Sequence, residues 1–539
     1  MIIIKWKKSK VTQHVLMAIS TLCLSNAYAG NLEIAPAFDL ELLAYDVDGS
    51  STINEFASQP SHDNALQMHS ILGVSYQSAH LDSQLRIKNR YIELDKADDN
   101  RSYTNINFRN TLSFFSDRVL LGLNSQKSHR VSDSRLGYFS DGIAFDNLTD
   151  LTTHSASLTM RTKPKVSRYT SLQLTATDTK SGAGSLENNS FAIDGASYGA
   201  EFTAGGQFGS KSYWGVTLSK RKTKRERFED FTSEDASIRL GAPIWERLRF
   251  VVQANHNESS LTGNRFGDND PNSTSWGFGF EYGDIRRSYV GVLYNFRNSG
   301  QIDDDFFSYY INLVPSERTS VFAEYTKKYY GISKRLDASW KLKHFRLNAT
   351  FNDDVTSYSQ TQFAQVDLGL FVCPFDQPFD IANCFQPDSI DYELAPNEVS
   401  ANFFETQPVL TEQVLLQKVG QVNMSYEFRR LTIAASVFTT ERDFLESNFL
   451  QETQGYSVSL KWRAGRHGRF TATSRFSEVE YESESRGDDN RSNALTYAHT
   501  LSAKLSVAFT LSENERTSTT LENNFSDKRA SLKVGYQFR

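Results

Sequence analysis

The chain has 539 residues, a formal net charge of −6 and a mean hydropathy of −0.48. Beyond the first thirty residues no run approaches the ~20 consecutive apolar residues that a membrane-spanning helix needs, which excludes a bundle of membrane helices. Aromatic residues make up 13% of the sequence, which argues against a disordered chain and is typical of β-rich proteins.

The N-terminus has the pattern of an export signal. Four lysines between Lys5 and Lys10 precede an apolar core over residues 15–24, and Ala27-Tyr28-Ala29 is a cleavage site of the A-x-A type. We predict a signal peptide over residues 1–29, whose removal changes the net charge from −6 to −10 because four lysines leave. The core is too short for an uncleaved membrane anchor, and Leu22 before Cys23 argues against a lipoprotein.

Apolar and polar residues alternate over segments of about ten residues through the rest of the chain. Leu336, Ala338, Trp340 and Leu342 alternate with polar residues, and after Lys343 and His344 the alternation resumes at Phe345. Such segments recur from Leu32 to Phe538, and the connections between them are alternately short and long. The pattern predicts an antiparallel up-and-down meander without a separate domain.

Two arrangements are compatible with one apolar face: a soluble sandwich, or a membrane barrel with lipid outside and water inside. The alternation of short and long connections is typical of outer-membrane barrels, and the last strand ends in an aromatic residue, Phe538, followed by Arg539. We predict an all-β fold: one transmembrane antiparallel β-barrel over residues 30–539, with about 24 strands (22–24), in the outer membrane of a Gram-negative bacterium. Because no plug domain precedes the first strand, a plugged receptor is disfavoured.

The segment 347–417 has an unusual charge composition, with eleven acidic residues, no Lys or Arg, and five of the eleven prolines. We predict a long outer loop over residues 358–408, stapled by a Cys373–Cys384 disulfide because the compartment is oxidising. The loop is either a constriction or lid, which would favour cations, or a passive solvated loop. The candidate constriction residues are Asp376, Asp380, Asp388, Asp391, Glu393, Phe375, Phe379 and Phe385.

A basic run follows another strand near its outer end: Lys220, Arg221, Lys222, Lys224, Arg225 and Arg227. It is a candidate contact for lipopolysaccharide phosphates or an anionic polymer, and the alternative is a plain solvated strand end.

Nothing in the sequence favours catalysis, a cofactor or a metal. The Asp-rich loop tips lack the spacing of a calcium loop and are explained by turn chemistry. One G-x-S-x-G motif occurs at residues 195–199, but a nucleophile elbow needs a strand-to-helix turn, and strand-like sequence follows here. We predict that the protein is not an enzyme.

Three segments resemble outer-membrane β-barrel proteins associated with PEP-CTERM/exosortase systems, whose activity is not established. They are residues 33–46 (EIAPAFDLELLAYD), residues 314–363 with the Tyr329-Tyr330-Gly331 corner, and residues 523–539 (NNFSDKRASLKVGYQFR). The cysteine-containing loop and the terminal Arg539 depart from that pattern. The resemblance supplies no catalytic residues and implies an envelope role connected with exopolysaccharide.

Two functions are therefore open. The first is a porin-like conduit tied to exopolysaccharide export, with the lipopolysaccharide membrane and periplasmic export components as partners and no role for nucleic acid. The second is a non-conducting surface protein whose outer loops bind polysaccharide or partner proteins.

Overall fold

The structure is a computed structural model of the chain. It describes residues 30–49, 62–94, 100–131, 148–162, 168–181, 194–208, 212–225, 230–260, 272–284, 288–298, 303–328, 330–357, 363–374, 398–408, 414–445, 449–482, 486–519 and 524–538. Within these ranges, none of the chain forms a helix with the length and apolar character needed to cross a bilayer. The predicted signal peptide over residues 1–29 lies outside the described residues.

Twenty-four strands form one closed antiparallel sheet, which confirms the predicted barrel and strand count. The ring closes because the first strand pairs with both the second and the last, for example Leu40 with Met68 and with Val534. Closure gives every strand of the ring two hydrogen-bonded neighbours, so no sheet edge is left unpaired in lipid.

The described residues form 26 strands. The first thirteen strands are β1 Asn31–Gly49, β2 His62–Gln77, β3 Leu81–Leu94, β4 Asn100–Phe114, β5 Val119–Val131, β6 Leu148–Arg161, β7 Arg168–Ser181, β8 Asp194–Phe208, β9 Ser212–Arg225, β10 Phe231–Pro243, β11 Leu248–Ser259, β12 Ser273–Asp284 and β13 Ser288–Asn298. The next thirteen are β14 Asp303–Ser316, β15 Thr319–Lys328, β16 Gly331–Lys341, β17 Phe345–Ser357, β18 Phe363–Pro374, β19 Glu398–Pro408, β20 Val414–Phe428, β21 Leu431–Phe444, β22 Phe449–Arg463, β23 Gly468–Tyr481, β24 Arg486–Thr500, β25 Leu505–Ser518 and β26 Phe525–Gln537. Of these strands, β18 and β19 lie outside the ring.

The connections fall where the sequence predicts them. β16 and β17 are joined by residues 342–344, and β20 and β21 by Arg429 and Arg430. The longer connections 132–147 and 358–413 are on the opposite end of the barrel. Both chain ends of the barrel are on the short-turn side, which is the periplasmic side in barrels of this class.

The outer surface of the barrel is apolar. On β1 the residues Leu32, Ile34, Phe38 and Leu42 are exposed, and exposed apolar residues recur on the same face of most other strands of the barrel. Because water would penalise so many exposed apolar side chains, this face contacts lipid. The exposed aromatics next to the periplasmic turns include Phe115, Phe208, Trp245, Trp340, Phe428, Trp462 and Phe538.

These aromatics form the girdle that outer-membrane barrels place at a membrane–water interface. Trp462 stacks on Phe470 across the β22–β23 turn, with ring centroids 5.6 Å apart, and Trp340 meets Phe345 edge-to-face at 5.5 Å. The closed ring, its apolar belt and its girdle make the chain an outer-membrane β-barrel.

The long outer connection has secondary structure that the sequence did not predict. β18 and β19 pair with each other as a separate two-stranded sheet between β17 and β20. The prediction of a loop over residues 358–408 is therefore incomplete, because half of that stretch forms a hairpin. The predicted constriction residues and Cys384 lie outside the described residues, and for Cys373 only the backbone is described.

The β15–β16 connection is a tight outer corner organised by Asp353 of β17. The Asp353 carboxylate accepts hydrogen bonds from the Ser333 hydroxyl at 2.7 Å and from the Lys334 backbone N–H at 2.6 Å. The Tyr330 hydroxyl donates to the same carboxylate at 3.3 Å. Burial raises the pKa of the Tyr330 phenol, and the charges of Asp354 and Asp353 act in the same direction. The hydrogen bond with Ser333 acts in the opposite direction and offsets only part of this rise.

A substitution at Gly331 tests how much the β15–β16 connection depends on the backbone conformation of this residue. Its φ is +115°, which L-residues rarely adopt, and nothing lies within 4 Å of the position of an added Cβ. We expect Gly331→Ala to destabilise the barrel by about 1–3 kcal/mol through backbone strain alone. The measurement is the urea midpoint of unfolding in detergent micelles. A midpoint equal to that of the wild type would show that the corner relaxes freely.

Candidate functional site

The lumen face of the barrel differs from one sector to the next, and the first sector is a tight corner around β12. This strand carries glycine at two consecutive lumen-facing positions, Gly277 and Gly279. A Cβ added at Gly279 would lie 1.9 Å from the Val292 carbonyl oxygen, so the backbones of β12 and β13 approach more closely than any side chain allows. Glycine at such positions marks a sharp bend in a barrel wall.

Side chains from four strands converge on one carboxylate of a fifth strand, β12, inside this corner. Glu281 is 1% exposed and accepts a hydrogen bond from Arg249 Nε at 2.6 Å, with Arg249 Nη2 on the same oxygen. Its other oxygen, Oε2, accepts hydrogen bonds from the hydroxyls of Tyr213 and Tyr310, each at 3.0 Å. Arg239 Nη2 lies 3.4 Å from the same oxygen. The carboxylate is therefore fully engaged, as a buried charge must be.

Tyr213 and Tyr310 can lie flat against the barrel wall because a glycine of the neighbouring strand faces each ring. A Cβ at Gly241 would fall 2.2 Å from the ring of Tyr213, and one at Gly291 would fall 2.0 Å from the ring of Tyr310. The guanidinium of Arg239 lies 3.8 Å from the centroid of the Tyr310 ring, a cation–π contact. We call Tyr213, Arg239, Arg249, Glu281 and Tyr310 the corner cluster. It is a positioning element that fixes the shape of one side of the lumen.

A second contact joins two distant walls at the outer opening. Phe231 of β10, Val355 of β17, Val414 of β20 and Leu445 after β21 form one buried apolar cluster, and Tyr330 packs against it. Twenty-four strands about 4.8 Å apart and tilted ~40° would enclose a circular ring on the order of 45–50 Å wide. Because β10 and β17 are seven strands apart in the ring, this contact narrows the outer opening well below that width.

The third sector is a nearly uncharged wall formed by β6, β7 and β8. Strand pairing places small hydroxyl side chains on its lumen face, with Glu201 near its middle and Arg161 near the periplasmic turn. Hydroxyl groups donate and accept hydrogen bonds without adding charge, which suits contact with water and with sugar hydroxyls. The hydroxyl residues of this face include Thr153, Ser155, Ser157, Thr175, Thr177, Thr179, Ser197 and Thr203.

The fourth sector is the seam where the first and last strands meet. Lys533 of β26 lies 2.7 Å from Asp39 of β1, and the imidazole of His69 lies 3.8 Å from Glu41. Next to them, β3 places Arg86, Lys88 and Arg90 on the lumen face, and Arg90 Nε donates to Gln67 at 3.0 Å. Charged side chains therefore dominate the lumen around the seam.

The structure divides the predicted basic run between two faces. Lys220, Lys222 and Lys224 share the face of the lipid-exposed Leu218, whereas Arg221 lies on the lumen face. On the outer face Lys220 pairs with Glu234, and Lys222 lies 3.1 Å from Asp230. The side chains of Arg225 and Arg227 lie outside the described residues, and lipid or polyanion contact stays a prediction.

No metal site or catalytic centre emerges from the described residues. In those ranges no group of three or more His, Cys, Asp and Glu side chains could hold a metal ion. The Ser197 of the G-x-S-x-G motif lies inside β8, paired with Thr177 and Thr223, rather than at a strand-to-helix turn. This position explains the motif as part of the hydroxyl-rich wall.

Comparison with known proteins gives structural similarity only. No protein-family model matches the chain, and no curated protein matches it by sequence. The chain is similar in structure to the FrpB iron transporter of Neisseria meningitidis, with a TM-score of 0.42, 9% identity and coverage of 93% of this chain and 81% of that one. It is also similar to the siderophore receptor PirA of Acinetobacter baumannii, with a TM-score of 0.41, 9% identity and coverage of 93% and 80%.

The third comparison is with another outer membrane protein. A loop-deletion mutant of OmpT, an outer membrane protein of Vibrio cholerae, has a TM-score of 0.32 and 8% identity, with coverage of 95% of this chain and 100% of that one. At these values the similarity concerns architecture alone.

Proposed function

We propose that the protein is a water-filled conduit across the outer membrane. The observation that carries the proposal is the polar lumen face: Ser, Thr, Asn, Gln and charged side chains follow one another on strand after strand inside a closed ring of 24 strands. A 16-stranded barrel already leaves an aqueous channel, and a wider ring lined by polar side chains holds water. The corner cluster fills only the inside of one bend.

We propose further that the conduit serves carbohydrate, in connection with exopolysaccharide export. The support is the nearly uncharged wall of β6–β8, whose hydroxyl groups offer weak, repeated hydrogen bonds to a sugar chain without trapping it. The resemblance to exopolysaccharide-associated barrels supports the same substrate. The alternative, a non-conducting surface protein, is favoured by the hairpin of β18 and β19 in the long outer connection.

A catalytic role is not part of this proposal. Ser197 lies within a continuous strand rather than at a nucleophile elbow, which supports a conduit without enzymatic activity. An activity screen with esterase and glycosidase substrates tests this expectation.

The experiment that tests conduction uses the mature chain, residues 30–539, in a planar lipid bilayer. We expect large, steady single-channel conductance, and absence of conductance in a correctly folded barrel would favour the surface role. Folding is checked by the shift in gel mobility on heating.

Deletion of residues 360–400 tests whether the outer connection restricts the conduit. We expect conductance to rise when the segment is removed, because an obstacle at the opening adds resistance in series. Equal conductance of the deletion variant and the wild type would make the segment a passive loop. The matched control is a variant that neutralises Asp376, Asp380, Asp388, Asp391 and Glu393, which keeps the bulk of the segment and removes five of its seven negative charges.

A further inference from the structure

We propose that the lumen around the seam makes the conduit anion-selective, and that its substrate is an anionic polymer. This inference rests on the proposed conduit. We call the lumen faces of β22–β26 and β1–β4 the seam arc; these nine strands are neighbours in the ring. Strand pairing and alternation assign its described charged side chains as follows. The basic residues are Lys461, Arg463, Arg469, Arg475, Arg486, Arg516, Arg529, Lys533, Arg86, Lys88, Arg90, Arg101 and Arg109, and the acidic residues are Asp488, Asp527, Glu33, Asp39, Glu41 and Asp82.

Several of the acidic side chains of the arc are matched by its own cations. Arg486 Nε lies 3.0 Å from Asp488, Arg529 Nε lies 2.8 Å from Asp527, and Asp39 is held by Lys533. Basic side chains outnumber acidic ones about two to one on this arc, so these pairs leave a large positive excess. The excess is concentrated on β3, β4, β22 and β23, each of which has two more basic than acidic side chains on its lumen face.

This excess opposes the charge of the chain as a whole. The protein carries a net charge of −6, so the positive seam arc requires that acids are concentrated elsewhere, above all in the segment 347–417. The wall of β6–β8 is nearly uncharged, and in the corner cluster Glu281 offsets one of two arginines. Of these three sectors, the seam arc therefore has the largest net positive charge.

The spacing of the cations favours a polymer over a single tightly bound anion. Arg86, Lys88 and Arg90 follow one another at every second residue of β3, which places their Cα atoms about 7 Å apart along the wall. Repeated sites of similar strength let a chain with repeated negative charge pass from one to the next without a deep energy minimum. An acidic polysaccharide has that chemistry, and it also has hydroxyl groups for the β6–β8 wall.

The test measures the zero-current potential across a bilayer in a KCl gradient at about 0.1 M, where the screening length is ~10 Å. We expect the wild type to prefer chloride. The triple variant R86Q/K88Q/R90Q should move the potential toward that of potassium. The matched control K127Q/R491Q/K528Q removes three charges from the outer face, away from the lumen and from the basic run of β9, and should leave the potential unchanged.

A second experiment tests whether the conduit prefers an anionic polymer to a neutral one. Alginate oligomers should reduce chloride current at lower concentration than dextran oligomers of the same length, and the triple variant should abolish that difference. If small anions pass but alginate and dextran block equally, the polymer assignment is wrong. A conducting, cation-selective wild type would overturn the inference while leaving the conduit intact, whereas a folded but silent barrel would overturn the conduit itself. Should the β3 variant fail to fold, K461Q/R463Q/R475Q on β22 and β23 makes the same test.

Discussion

Replacing Glu281 with alanine is expected to destabilise the barrel by about 3–5 kcal/mol, the cost typical of removing one partner from a buried ion pair. The substitution leaves Arg249, which is 4% exposed, without the carboxylate on which its Nε and Nη2 converge. It also removes the acceptor of the Tyr213 and Tyr310 hydroxyls. The measurement is the shift of the urea midpoint for unfolding in detergent micelles.

Glu201 provides the matched control because it is an acidic residue on the lumen face of β8 and is exposed. Glu201→Ala should move the midpoint by less than about 0.5 kcal/mol, as is usual for exposed positions. Replacing Glu281 and Arg249 together by methionine should recover much of the loss, since an apolar pair of similar volume avoids the buried, unpaired charge. Equal midpoints for Glu281→Ala and Glu201→Ala would show that the carboxylate does not hold the corner.

The barrel itself could be predicted from sequence because each strand contacts lipid on one face and water on the other. This imposes an alternation of apolar and polar residues with a period of two. The alternation from Leu336 to Leu342 and from Phe345 onward places one face in lipid, and a slip of one residue would reverse all of these side chains. Turn positions such as Arg429 and Arg430 follow from the breaks in that pattern. Strand number then follows by counting, and the pairing of β1 with β26 confirms it.

The corner cluster could not be predicted in the same way, because it depends on strand register and wall curvature. The Tyr213 hydroxyl and the Glu281 carboxylate are 68 positions apart and meet only because three intervening pairings align them. One local signal was available: glycines at alternate positions of Ser273–Asp284 predict a bend. The positive seam arc likewise joins strands from both ends of the chain, so no local window of sequence contains it.

The outer hairpin was missed for a different reason. Prolines and acidic residues dominate the composition of residues 358–408 and favour a loop. The strands β18 and β19 lie at the two ends of that stretch, where apolar and β-branched residues such as Val366, Leu370 and Val372 occur. Overall composition therefore obscured a short local strand pattern.

Replacing Gly279 with alanine is expected to destabilise the barrel by nearly as much as the loss of Glu281, although it removes no interaction. The new Cβ would lie 1.9 Å from the Val292 carbonyl oxygen and 2.7 Å from Leu293 Cα, and both are backbone atoms that cannot rotate away. Relief requires β12 and β13 to separate, which breaks the hydrogen bonds between them and opens the bend that the corner cluster fills. Overpacking costs typically about 1–3 kcal/mol, and a backbone clash belongs at the upper end of that range.

Gly215 provides the matched control for Gly279, since it is also a lumen-facing glycine within a strand, yet nothing lies within 4 Å of its added Cβ. Gly215→Ala should be neutral or slightly stabilising, because alanine loses less backbone entropy on folding than glycine. The readout is the fraction of each variant that folds into detergent micelles, followed by the urea midpoint of the folded fraction. If the two alanine variants fold equally well, β12 and β13 can separate without cost, and the bend does not depend on glycine. If Gly279→Ala alone fails, the close approach of these two backbones shapes this side of the lumen.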